Sequence, residues 1–193
     1  WSMLTGIDET FDAAIFLGYH AGAGTADAIL DHTFTLWLLD VRVNGESWNE
    51  THLNAALAGT FGVPVAVVSG DRACCAQAVA RLPWVRTVAT KEGYGNRVGR
   101  LRSPEDVRGE LHDVVRDAVA AADAQVWAPA GPYVLEADVA STALAEVCAL
   151  APGTERAAPR TVAFATEDLR TLYRMALTWV NLGRRVAPAY PAE

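Results

Sequence analysis

No stretch of this chain approaches the roughly 20 consecutive apolar residues that cross a bilayer as a helix, so no membrane span is expected. The opening Trp1-Ser2-Met3-Leu4 shows no basic segment followed by an apolar run, and no secretory leader is expected there. Basic charge is scarce: 16 Lys and Arg stand against 23 Asp and Glu, for a formal net charge of -7. Nucleic-acid binders usually carry a basic face, so that partner class is set aside, while small-molecule and peptide substrates stay open. Cysteine is sparse. Cys74 and Cys75 are adjacent and poorly placed to bridge each other, Cys148 is remote, and no Cys-x-x-Cys occurs. Reduced thiols and a cytoplasmic location are the expectation. The sequence also lacks His-Glu-x-x-His, Gly-x-Ser-x-Gly and a Walker loop, which removes three common catalytic signatures.

What remains is globular in character. The 193 residues are 51% hydrophobic and 20% charged, enough for one buried core and too apolar for wholesale disorder. No repeat, heptad run or low-complexity linker divides the chain, so 1–193 is expected to form a single α/β domain.

Phe11–Gly18 is a short apolar run ending in Gly and reads as a buried strand of a parallel sheet. The Gly/Ala-rich stretch Tyr19–Asp31 then forms a loop at that strand's carboxyl end, where open α/β sheets bind ligands. Thr33–Val43 is β-branched and aromatic, and Asn44-Gly45 predicts a hairpin returning through Ser47-Trp48. Glu50–Phe61 carries Leu53, Ala56 and Leu57 on one helical face, with Gly62 ending it. Val63–Val68 is a second buried strand, broken by Ser69-Gly70-Asp71. A helix over 73–82 and a strand over 85–89 follow.

Ser103-Pro104-Glu105-Asp106 starts a helix running to about Ala122: a Ser cap, Pro at the first position, acids in the first turn. Tyr133–Val139 and Arg160–Ala165 read as strands, and 142–150 as a helix. A last helix capped by Thr166 and stopped by Gly183 carries Leu169, Leu172, Tyr173, Ala176, Trp179 and Val180 at 3–4 spacing. The Pro/Ala-rich tail 186–193 is expected to fray. The order predicts an α/β fold with a mixed, mostly parallel sheet covered by helices and a β-hairpin insertion.

Only four histidines are present. His20 lies just past the first strand in Gly-Tyr-His-Ala-Gly-Ala-Gly, where a neutral imidazole can be aimed into a cleft as a zinc ligand or simply hydrogen-bonded in the loop. His32 follows Asp31 and reads either as a general acid/base or as an exposed residue. Glu50 opens a helix, a place where the helix dipole favours an acid and where a metal ligand fits equally. His52 points about 200° away from Glu50 on a helical wheel and is not expected to share its metal. His112 sits on a charged, amphipathic helix and reads as surface. Asp71-Arg72 serves as ion pair, helix cap or site, and Cys74 as a small buried residue with no nearby base.

A collinear set of residues resembles one family. Ile7–Phe11, Phe16–Ala21, Asn44-Gly45, Glu50–Ala55, Ala58-Gly59, Val63–Val65, Gly70–Arg72, Lys91, Ser103-Pro104 and Pro152–Thr154 resemble, in the same order, the zinc-dependent D-aminopeptidases of peptidase family M55. The resemblance covers nearly the whole chain. It implies that His20 and Glu50 are zinc ligands and His32 the catalytic histidine of a hydrolase. That hydrolase would cleave the N-terminal residue, including a D-configured one, from short peptides or amides. It further implies two zinc ions and a homo-oligomer, a decamer of stacked rings. This chain then corresponds to the carboxyl-terminal two-thirds of the family's proteins. The family's amino-terminal metal-binding segment, with an Asp-x-Glu-Gly strand end and a further histidine, has no counterpart here. An amino-terminal companion fragment is therefore one expected partner. A second reading is a non-catalytic or processed subunit on the same scaffold, acting in assembly or ligand binding.

Overall fold

The computed structural model describes residues 1–187; the expectation of a frayed tail falls largely on residues 188–193, outside the described ones. The α/β class holds, and the strands divide into two sheets. The first sheet contains β1 (Ala14–Tyr19), β4 (Val65–Asp71), β5 (Arg86–Gly95) and β6 (Val98–Leu101) in the order β1-β4-β5-β6. β1, β4 and β5 are parallel, and β6 returns antiparallel to β5. This is the mixed, mostly parallel sheet the sequence predicts. The second sheet, not separated by sequence reading, contains β2 (Leu38–Val43), β3 (Glu46–Ser47), β7 (Tyr133–Val139), β8 (Glu155–Ala158) and β9 (Thr161–Thr166). Its order is β3-β2-β7-β9-β8, antiparallel throughout.

Burial patterns explain the division. Every residue of β4 is buried, as a central strand covered on both faces requires. In β7 the buried residues alternate: Tyr133, Leu135, Ala137 and Val139 face the core and Val134, Glu136 and Asp138 face outward. That period of two marks a sheet covered on one face only. On the outward face Arg42 lies 2.6 Å from Asp138 and 2.9 Å from Asp40, tying β2 to β7. The β2–β3 hairpin turns at Asn44 (φ 52°) and Gly45 (φ 81°), the two left-handed positions that Asn-Gly supplies.

Helices α1 (Glu50–Gly59), α2 (Arg72–Arg81), α3 (Pro104–Ala121), α4 (Thr142–Cys148) and α5 (Leu169–Gly183) pack on these sheets. Val114, Val115 and Ala118 of α3 cover one face of the first sheet at Ala66 and Val67. Cys74 and Ala78 of α2 meet Phe16, Val65 and Val68 in a separate cluster. α4 and α5 cover the second sheet through Leu144, Leu172, Tyr173 and Trp179. α1 serves both sheets: Leu53, Ala56 and Leu57 join the core of the second, while Ala55 joins that of the first. Hence residues 51–59 are all buried, where the sequence shows only one apolar stripe. Ala55, Ala56, Ala58 and Gly59 are small enough to let a helix be enclosed this way.

Other boundaries differ for local reasons. The strand expected over 33–43 is confined to Leu38–Val43, because Phe34 adopts a left-handed φ of 61° that breaks extended structure. β4 continues through Ser69-Gly70 to Asp71 because the neighbouring strands hold it there. The last helix is capped by Asp168, whose carboxylate accepts from the Arg170 and Thr171 amides; Thr166 ends β9 instead. The short edge strands β6 and β8 were not expected.

Candidate functional site

The site forms at the carboxyl end of the parallel strands. Tyr19, the last residue of β1, pairs with Gly70 on β4, so His20 leaves the sheet beside Asp71. The loop from His20 crosses the sheet edge and brings His32 back, with the His32 amide donating to the Ala21 carbonyl at 3.0 Å. Glu50 arrives from the other side as the first residue of α1, after the Asn49 cap.

These three side chains meet. The His20 and His32 rings lie 5.0 Å apart, and His32 Nε2 stands 3.4 Å from Glu50 Oε2, with the two side chains only 23% and 13% exposed. Each histidine is oriented by a carbonyl: His20 Nδ1 donates to Ile29 O at 2.9 Å, and His32 Nδ1 donates to Leu30 O at 2.6 Å. A carbonyl can only accept, so the proton of each neutral ring resides on Nδ1 and the Nε2 lone pair is left available. With His32 neutral, its Nε2 and the Glu50 carboxylate are both acceptors facing each other. Such a pair invites a cation or a shared proton.

The loop is held from several directions. The Ile29 amide donates to Asp71 Oδ2 at 2.7 Å and the Leu30 amide to Asn96 O at 2.8 Å. Asp31 accepts from the Gly24 amide and from Asn96 Nδ2, both at 2.7 Å. Gln77 on α2 accepts from the Gly22 amide at 2.9 Å and from Asn49 Nδ2 at 2.8 Å, joining the loop to the start of α1. A cavity of about 290 Å³ adjoins this junction, lined by Gly22, Thr25, Thr33, Asn49, His52 and Gln77. One turn beyond Glu50, buried Asn54 donates to the Tyr19 hydroxyl at 2.8 Å and accepts from the Tyr173 hydroxyl at 2.6 Å, locking β1, α1 and α5 together.

The other candidates stand apart. His52 Nδ1 accepts from the Asn49 amide at 3.3 Å, closing a capping box on α1. Burial pushes its pKa down to about 4, against the hydrogen bond to Gln77 O. His112 is exposed on α3 and lies 3.3 Å from Asp113. Cys74 is buried, and burial, with Cys75 and Asp71 nearby, pushes its thiol up to about 12. Asp71 is the N-cap of α2, accepting from the Cys74 amide at 2.8 Å. The Ile29, Leu30 and Asn96 carbonyls that orient this loop carry no signal in the sequence, because a backbone acceptor is the same in every residue type. Among the described residues, no group of three or more His, Cys, Asp or Glu side chains is placed to hold a metal by itself.

The chain belongs to the peptidase M55 family, described as D-aminopeptidase, whose family model matches residues 1–178. It is similar to the D-aminopeptidase of Bacillus subtilis (strain 168), at 31% identity over 189 residues, covering 97% of this chain and 69% of that protein. Its structure is similar to that of the Zn-dependent D-aminopeptidase DppA from Bacillus subtilis, a self-compartmentalizing protease. The TM-score is 0.91 and the identity 31%, over 96% of this chain and 68% of the solved one.

Proposed function

We propose that this chain carries part of the active site of a zinc-dependent aminopeptidase that removes the N-terminal residue, including a D-residue, from short peptides or amides. The observation that carries the reading is that His32 lies against both His20 and Glu50 at the carboxyl end of β1, with each imidazole oriented through its Nδ1 and the His32 Nε2 turned to Glu50. Family membership and the Zn-dependent Bacillus relative support it.

The donor set suits zinc: a neutral imidazole oriented through its other nitrogen, and a carboxylate. His20 Nε2 and the Glu50 carboxylate would hold the ion, with further donors from the amino-terminal segment that the family resemblance implies. Bound zinc lowers the pKa of a water and polarises the scissile carbonyl. His32 holds or moves a proton at Nε2, beside Glu50 Oε2, as the carbonyl is attacked and the amine departs. A second zinc ion and a decameric assembly complete the proposal; the self-compartmentalizing relative supports an oligomer. The three unbridged, buried thiols support a reducing, cytoplasmic setting.

The test is metal content and hydrolysis of D-alanyl and L-alanyl p-nitroanilides by the full-length protein and its His20→Ala variant. Zinc in the parent, its loss in the variant and a parallel loss of hydrolysis are expected. Equal hydrolysis by parent and variant would overturn the reading.

A further inference from the structure

Asp71 is fully buried, yet it makes no ion pair among the described residues. A buried carboxylate is costly unless hydrogen bonds satisfy it. Its two oxygens take one backbone amide each: Oδ1 from Cys74, Oδ2 from Ile29. Capping α2 needs only the first. Asn or Ser caps a helix about as well and carries no charge, so the cap alone does not explain a buried acid. The second oxygen reaches 42 residues back along the chain, into the loop that holds both site histidines.

What it holds there is specific. Ile29, pinned through its amide, presents its carbonyl to His20 Nδ1. The next carbonyl, Leu30, takes His32 Nδ1. Leu30 is in the left-handed region at φ 52°, which a branched side chain rarely adopts. Such a conformation persists only where the surroundings over-determine it. Here they do: the Ile29 amide is tied to Asp71 on β4, and the Leu30 amide to Asn96 O in the turn between β5 and β6.

We infer that Asp71 is a positioning residue for the proposed zinc site, fixing through Ile29 the orientation and Nδ1–H tautomer of His20, so that the His20 Nε2 lone pair would be available to zinc. This rests on the proposed zinc reading for its consequence, and on the hydrogen bonds alone for its geometry. Outer partners of metal-binding histidines typically change metal affinity about 10–100-fold when removed. Asp71 would act one step further out, through a peptide group.

Asp71→Asn is the first test in the full-length protein. The amide keeps one acceptor oxygen and turns an NH₂ toward the other backbone N–H, donor against donor. Asp71→Ser, too short to reach Ile29 but a good cap, is the second, should the first fold poorly. Two readouts are needed: nitrogen-15 NMR of the imidazoles in metal-free protein, and zinc affinity by chelator competition. The parent should show the Nδ1–H tautomer at His20. The variants should show a mixture, with zinc affinity reduced about tenfold or more. Asp168→Ala, which removes the cap of α5, is the control. It should lower stability and leave both readouts unchanged. Variants that keep the His20 tautomer and bind zinc within twofold of the parent would overturn the inference. A parent that binds no zinc, with the tautomer still lost in the variants, would support the positioning role and sink the zinc reading.

Discussion

His32 Nε2 lies 3.4 Å from Glu50 Oε2, joining a loop that leaves β1 to the first turn of α1. The two residues are 18 apart in sequence, and the hairpin lies between them. Because each is oriented independently, one by the Leu30 carbonyl and the other by its place at a helix start, their roles can be separated by mutation.

Glu50→Gln keeps the shape and removes the charge, so zinc affinity should fall at least about tenfold. His32→Ala should retain zinc while kcat falls about 10²–10⁴-fold, the usual range for a lost proton-transfer group. Chelator competition and steady-state kinetics on the same preparations distinguish the two. Loss of zinc in His32→Ala with Glu50→Gln still loaded would reverse the assignment.

His52 makes stability depend on pH. Its folded pKa is lowered from 6.5 to about 4 by burial, so below 6.5 the unfolded chain binds the extra proton and the folded one does not. Stability contributed by the neutral ring is complete above pH 6.5 and is lost as pH falls toward 4. The full shift corresponds to roughly 3 kcal/mol. His52→Gln can still close the capping box. Urea unfolding at pH 7 and pH 4.5 should show a smaller acid loss in the variant than in the parent; equal losses would rule His52 out as a source.

Gly93 on β5 lies directly against the backbone of the histidine loop. A Cβ there would overlap the Asp27 carbonyl and crowd Ala28, both backbone. Gly93→Ala should therefore cost about 1–3 kcal/mol by overpacking and weaken zinc binding as the loop shifts. Thermal unfolding and zinc titration check it. An unchanged midpoint would show that the loop does not rest on the strand.

All three cysteines are buried and unbridged, and burial raises the Cys148 thiol to about 11 and that of Cys74 to about 12. Thiolates are the reactive species, so the native protein at pH 8 should resist iodoacetamide and react fully once unfolded. Mass spectrometry before and after adding denaturant gives the count. Rapid native labelling of Cys74 would contradict its enclosed position under Gly70 and Tyr19.

The local rules of the chain were legible in the sequence. Apolar runs marked β1, β4 and β7, Asn44-Gly45 marked the hairpin, and Ser103-Pro104 marked the start of α3; each is written in neighbouring residues. His20, His32 and Glu50 stand out in the sequence as chemistry-bearing types at element ends, and the family resemblance implies the roles proposed for them. Only the tertiary structure decided that the strands form two sheets, because hydrogen-bonding partners such as Tyr133 and Thr166 are remote in sequence. It alone enclosed α1 on nearly all sides, and it alone brought His32 against Glu50. The same holds for the tether from Asp71 through Ile29 to His20. Its middle link is a peptide group, identical in every residue, and so invisible until the chain has folded.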